Sequence, residues 1–121
     1  MGGELKQGNV IQTKSYEFSL RIIRLCRSDS SEKRDQIIFR QLLRSGTSIG
    51  ANVEEAIGAQ SRRDFYAKLY IAYKETRETH YWLRLLEDSG CLEPKIAVEM
   101  LERCNELLRI IGSILKTLRS R

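Results

Sequence analysis

An all-α fold, a single antiparallel up-down-up-down four-helix bundle, is what this sequence predicts, and three observations predict it. Apolar residues recur at alternating spacings of four and three along most of the chain. Proline occurs once in 121 residues, as Pro94, and glycine eight times, so little interrupts a helix. The period-two alternation of a half-buried strand is absent. The length suits one domain, and a hydrophobic content of 41% supports one continuous core.

Residues 1–12 are polar, glycine-bearing and aperiodic, and read as a flexible tail before a bundle domain at 13–121. The first helix is expected to begin near Thr13, a plausible N-cap, and to end near Ser28, with Phe18, Ile22, Leu25 and Cys26 as its stripe. Ser28-Asp29-Ser30-Ser31 reads as a turn in which Ser31 caps the next helix. The second helix runs from about Glu32 to about Ala59. Its stripe is Ile38, Leu42, Ser45, Ile49, Asn52, Ala56 and Ala59. After a break at Gln60-Ser61, Ser61 serves as N-cap and Asp64 stands three residues on, as in a capping box.

The third helix extends to about Asp88 with Phe65, Leu69, Ala72, Thr76, Thr79, Leu83 and Leu86 inward. Gly90 closes it in the C′ role, and Pro94 fits the first turn of a fourth helix. There Ala97, Leu101, Cys104, Leu108, Ile111, Leu115 and Leu118 repeat the rhythm. Short connections make successive helices antiparallel neighbours. A reversal about residue 60 sets Ser45 level with Thr76 and Ile49 level with Ala72.

Within the second helix, Ser45-Gly46-Thr47-Ser48-Ile49-Gly50-Ala51-Asn52 is unusual. Each interior glycine costs about 1 kcal/mol relative to alanine, which a close helix–helix approach through small residues, within the chain or to a neighbouring subunit, would offset; the alternative is a kink or an exposed backbone patch that binds a partner.

Catalytic and metal chemistry find little support. Three cysteines, Cys26, Cys91 and Cys104, are an odd number without CxxC spacing and read as reduced thiols. The one histidine, His80, has Arg77 rather than glutamate three residues before it, so a di-metal helix pair is excluded. Glu54, Glu55, Glu75 and Glu78 read as ion-pair partners of Arg44, Lys74 and Arg77. Glycine-rich phosphate loops and HExxH are missing. No catalytic residue, metal or cofactor is expected. No apolar run reaches the ~18 residues of a membrane span. The opening MGGELKQGNV lacks a signal core and has Lys6 where myristoylation favours Ser or Thr, so the cytoplasm is the expected compartment.

The net charge of +5 is unevenly distributed. Residues 31–93 hold ten basic and ten acidic groups, so the excess lies in the first and last segments. Lys14, Arg21 and Arg24 share a face of the first helix, and Arg109, Lys116 and Arg119 stand on the fourth. In the expected bundle these two helices are adjacent, and a basic surface along their edge suits a phosphate backbone.

Apolar supply also exceeds what one bundle needs, about three positions per heptad. Tyr66, Tyr70 and Tyr73 flank the third stripe, and Met100, Leu107, Ile110 and Ile114 flank the fourth. Of these, Tyr66, Tyr70, Tyr73, Ile110 and Ile114 are assigned to an oligomer interface. The alternative for the tyrosines, interleaved with Arg62, Arg63, Lys74 and Arg77, is stacking on unpaired bases.

The run Gln41-Leu-Leu-Arg-Ser-Gly-Thr-Ser-Ile-Gly-Ala-Asn-Val-Glu-Glu-Ala56, followed by Phe65, Leu69-Tyr-Ile-Ala72, Lys74-Glu75, Glu78-Thr79 and Tyr81-Trp82-Leu83, resembles a known family. These are bacterial four-helix-bundle proteins encoded in intervening sequences of the 23S ribosomal RNA gene, also called S23 ribosomal proteins. The resemblance covers about residues 13–118. It implies a bundle assembling as a ring, typically a homopentamer, with a positively charged face and no established enzymatic activity. A more distant similarity in fold is to the accessory variability determinant of diversity-generating retroelements, which binds a reverse transcriptase and nucleic acid. The expectation is therefore a non-enzymatic homo-oligomer that binds nucleic acid, RNA foremost. An adaptor for a nucleic-acid enzyme such as a reverse transcriptase is the alternative.

Overall fold

In the computed structural model the backbone is described for residues 2–28 and 36–120, and side chains from Val10 onward. Four helices follow one another: α1 (Gly2–Ser28), α2 (Gln36–Ile57), α3 (Arg62–Asp88) and α4 (Pro94–Arg119). At 1.5 Å per residue they are ~33–40 Å long. No strand occurs among the described residues. The expected turn at residues 29–31, with its Ser31 cap, and the start of the second helix near Glu32 lie outside the described residues.

Cross-helix contacts establish the topology. Gln12 of α1 donates to Glu54 of α2, while Ile22, further along α1, lies against Gly46, earlier on α2. Residue numbers run oppositely on α2 and α3 as well, where Lys68 meets Glu55 and Thr79 meets Ser45. On α3 and α4, Cys104 reaches the Thr76 carbonyl and Gly112 faces Tyr73. Lys14 with Glu106, and Arg21 with Glu99, close the square between α1 and α4. Every neighbouring pair is antiparallel, the up-down-up-down arrangement.

Helix ends obey local rules. The Ser61 side chain accepts from the Asp64 amide at 3.0 Å, Gly90 takes φ +79° beyond α3, and Pro94 opens α4. Lys116 and Arg119 occupy the last turn of α4, where the helix dipole favours cations.

Four expectations are corrected. First, α1 begins at Gly2, so the segment read as a tail is helical and Thr13 lies within the helix. Ile11 is fully buried, and Ile11, Ser15, Phe18 and Ile22 prolong the four-three stripe.

Second, the expected level of Ser45 with Thr76 does not by itself name the hydrogen-bond partner, since Ser45 accepts from Thr79. Side chains tilt toward the N-terminus of their own helix. On antiparallel neighbours the tilts oppose, so contacting residues are offset by several positions from those that are level.

Third, α2 buries Phe39, Gly46, Gly50 and Val53 in addition to most of the expected stripe, while Ile38, Asn52 and Ala59 are half-buried. This helix packs on both α1 and α3, which widens its buried arc.

Fourth, α4 buries Ala97, Cys104, Ile111, Leu115 and Leu118 of the expected stripe and adds Met100, Leu107 and Ile114 to it. Leu101 and Leu108 are half-buried. Ile114, assigned to an oligomer interface, is 0% exposed within one chain and belongs to the core. Five of the seven expected positions are thus buried, and packing on both α3 and α1 widens the buried arc of α4.

Candidate nucleic-acid interface

Folding divides the basic residues into two groups. On the edge between α1 and α4, Lys14 pairs with Glu106 at 3.3 Å and Arg21 with Glu99. Arg103, one turn after Glu99, comes within 3.6 Å of the same carboxylate. Arg21 is held below the usual arginine range, by desolvation first and then by Arg103 and Arg24. These pairs are more than a third exposed, so each contributes about 0–1 kcal/mol. Two of the cations expected to meet phosphate, Lys14 and Arg21, are thus already engaged by acids of α4. Sequence reasoning missed Glu99, Arg103 and Glu106; the i,i+4 pair Glu99/Arg103 was the visible signal.

The second group is unpaired. Arg24, Arg109, Lys116 and Arg119 are exposed, and no carboxylate pairs with them among the described residues. Beyond Glu106 the sequence contains no acidic residue. Arg109, Gly112, Lys116 and Arg119 fall at spacings of three, four and three, one face of α4.

The α3 tyrosines lie alongside that face. A Cβ on Gly112 would stand 3.5 Å from Tyr73 Cε1, so the Tyr73 ring rests near bare α4 backbone. Tyr66 and Tyr70 have ring centroids 6.2 Å apart and planes at 13°; for Tyr70 and Tyr73 the values are 6.5 Å and 27°. Tyr66 and Tyr73 are half-buried against the core, and Tyr70 is 44% exposed. Ile110, the other residue assigned to the interface, is half-buried.

The four glutamates prove to be ion-pair and hydrogen-bond partners, with one change of cast. Arg44 of α2 reaches Glu75 at 3.0 Å and also Glu78 on α3, and the Trp82 indole donates to Glu78 at 2.9 Å. The Arg44 guanidinium is raised, chiefly by Glu78. The Glu78 carboxyl is lowered: bonds from Trp82 and Arg44 overcome the opposing effect of burial. Glu55 pairs with Lys68, and Glu54 accepts from Gln12; Lys74 and Arg77 take no part. His80 is held below the ordinary histidine range, by burial first and then by Arg84, with a bond to Asn105 opposing. Among the described residues no group of three or more His, Cys, Asp or Glu side chains comes together as a metal site. No helix among them is long and apolar enough to cross a membrane.

The small-residue segment explains itself within one chain. A Cβ on Gly46 would lie 2.9 Å from Ile22 Cγ1, and one on Gly50 would lie 3.3 Å from the Ser15 carbonyl oxygen. Both glycines admit α1 to close contact.

The geometry thus defines a class: an antiparallel four-helix bundle with a coherent core, one edge of mutually paired charges and one face of tyrosines beside unpaired cations. The family model of the 23S rRNA-intervening sequence protein matches residues 7–113, and the chain belongs to that family. A solved structure similar to it is a protein of unknown function from the S23 ribosomal protein family of Bacteroides thetaiotaomicron. The two are 42% identical with a TM-score of 0.86, over 91% of this chain and 98% of the other. No curated protein matches the chain.

Proposed function

We propose that the protein is a non-enzymatic, homo-oligomeric scaffold of the cytoplasm that binds nucleic acid, RNA foremost, through basic side chains. The observation that carries this reading is the exposed and unpaired cation stripe Arg109, Lys116 and Arg119, in a half-helix without a single carboxylate. Uncompensated cations in register along a helix face attract phosphates and release counterions on contact. Oligomerisation is supported by large apolar side chains left exposed, Ile71 and Leu85 on α3 and Ile96 and Val98 on α4 among them. In a ring of five, as the family resemblance implies, subunits of +5 would sum to about +25, and several weak contacts would act together.

Titration of a labelled RNA at stepped salt concentrations, beside light scattering, tests the reading. Affinity should fall steeply with salt. Lys116→Glu with Arg119→Glu should weaken binding of all sequences by at least ten-fold, whereas Lys14→Glu, at a cation already paired, should matter less. A protein that is monomeric, or whose RNA affinity ignores both salt and the double reversal, would refute it. Salt-insensitive capture of a protein partner would favour the adaptor reading instead.

A further inference from the structure

The tyrosine ladder and the cation stripe belong to two different helices, yet they form one face. On α3, Arg63, Tyr66, Tyr70, Tyr73 and Arg77 follow at spacings of three, four, three and four, and Lys74 stands one turn beyond Tyr70. On α4 the matching face carries Arg109, Gly112, Lys116 and Arg119. The contact of Tyr73 with Gly112 sets their register. Because the helices are antiparallel, seven residues back from Tyr73 is Tyr66, and seven residues on from Gly112 is Arg119. The two stripes run side by side for about 10 Å.

From this juxtaposition we infer that the face between α3 and α4 binds single-stranded nucleic acid, unpaired bases stacking on Tyr66, Tyr70 and Tyr73 while the flanking cations hold the phosphates. The inference rests on the nucleic-acid reading above and narrows it to a strand form and a face. Three kinds of evidence support it. The rings are nearly parallel and regularly stepped, with centroids 6.2 and 6.5 Å apart, and a row of aromatic faces offers bases a stacking platform. Arg63, Lys74, Arg77, Arg109, Lys116 and Arg119 have no carboxylate partner among the described residues. A face of aromatics and cations alone is complementary to a polyanion.

Fluorescence anisotropy with a mixed-sequence 12-nucleotide RNA, single-stranded and as its duplex, decides the matter. The single strand should bind more tightly. Tyr70→Leu, at an exposed position, should weaken it roughly ten-fold and leave the duplex unchanged, Tyr70→Phe should retain native affinity, and Tyr66→Leu should repeat the effect of Tyr70→Leu. Unchanged single-strand binding in both leucine variants, alongside weakening by Arg109→Glu with Lys116→Glu, would overturn the stacking site but keep the basic scaffold. If Tyr70→Leu lowers the mass seen by light scattering and weakens both strand forms equally, the tyrosines are a subunit contact and the inference fails. If the native protein binds neither form, the functional reading itself fails.

Discussion

Gly46 and Gly112 are both interior helix glycines, yet their surroundings give them opposite roles. At Gly46 an added methyl would meet the buried Ile22 side chain at 2.9 Å near its branch point, so α1 or the rotamer must move. Overpacking of this kind costs about 1–3 kcal/mol, against the ~1 kcal/mol that alanine gains in helix propensity. At Gly112 the added methyl would make an ordinary 3.5 Å contact with Tyr73. Gly46→Ala is therefore expected to lower the urea midpoint and Gly112→Ala to raise it slightly. Because Ile22→Ala removes both γ carbons at 2.9 and 3.0 Å, Gly46→Ala and Ile22→Ala should cost less together than the sum of their separate effects in a double-mutant cycle. If Gly46→Ala melts like the parent, the α1–α2 contact is looser than this geometry.

Among the elements, α3 and α4 are joined at their centre by Cys104, whose thiol donates to the Thr76 carbonyl at 3.3 Å. Burial pushes that thiol up to about 12 from 9.0. The sign of the linkage is definite. Between about pH 9 and 12 the folded chain keeps a proton that the unfolded chain releases, so stability falls as pH rises, by at most about 1.4 kcal/mol per unit from this group. Cys104→Ala should flatten that part of the stability–pH curve relative to the parent. At pH 8.5, iodoacetamide should modify half-buried Cys91 well before Cys104, as mass spectrometry would show. Equal rates would mean that the α3–α4 seam opens readily.

Over the whole molecule, folding changes what the charge can do. The formal +5 is modest, but pairing on the α1–α4 edge and around Arg44 consumes both signs there, while the cations of the α3–α4 face stay unpaired among the described residues. The same pairing uses the carboxylates that a metal would need, and the described residues form no ligand cluster. Excess EDTA should therefore leave the thermal midpoint within about a degree of its value without chelator. A drop of several degrees would reveal a bound ion that supports the fold.

Much of this architecture is legible in the sequence. Ser61 with Asp64, Gly90 and Pro94 mark helix ends through local chemistry, and the four-three rhythm of α3 picks out the six residues it buries, Leu69, Ala72, Thr76, Thr79, Leu83 and Leu86. The candidate site is only half legible. Arg109, Lys116 and Arg119 are visible as cations, but Lys14 and Arg21 look equally free until Glu106 and Glu99 arrive from another helix. The tyrosines could be recognised as a row beside the core, yet not as neighbours of the Gly112 stripe.

By itself the sequence determined the helix count, the reversals and the antiparallel order, because periodicity, caps and short turns act within a few residues. Only the tertiary structure decided how far the buried arc of α4 widens beyond its expected stripe, that α1 begins at Gly2, and which cations remain unpaired. Those outcomes depend on where one helix lies against another: the side of α4 that α1 covers, the burial of Ile11, and the carboxylates brought within reach of Lys14 and Arg21. Such contacts join residues far apart in the chain, and no local pattern encodes them.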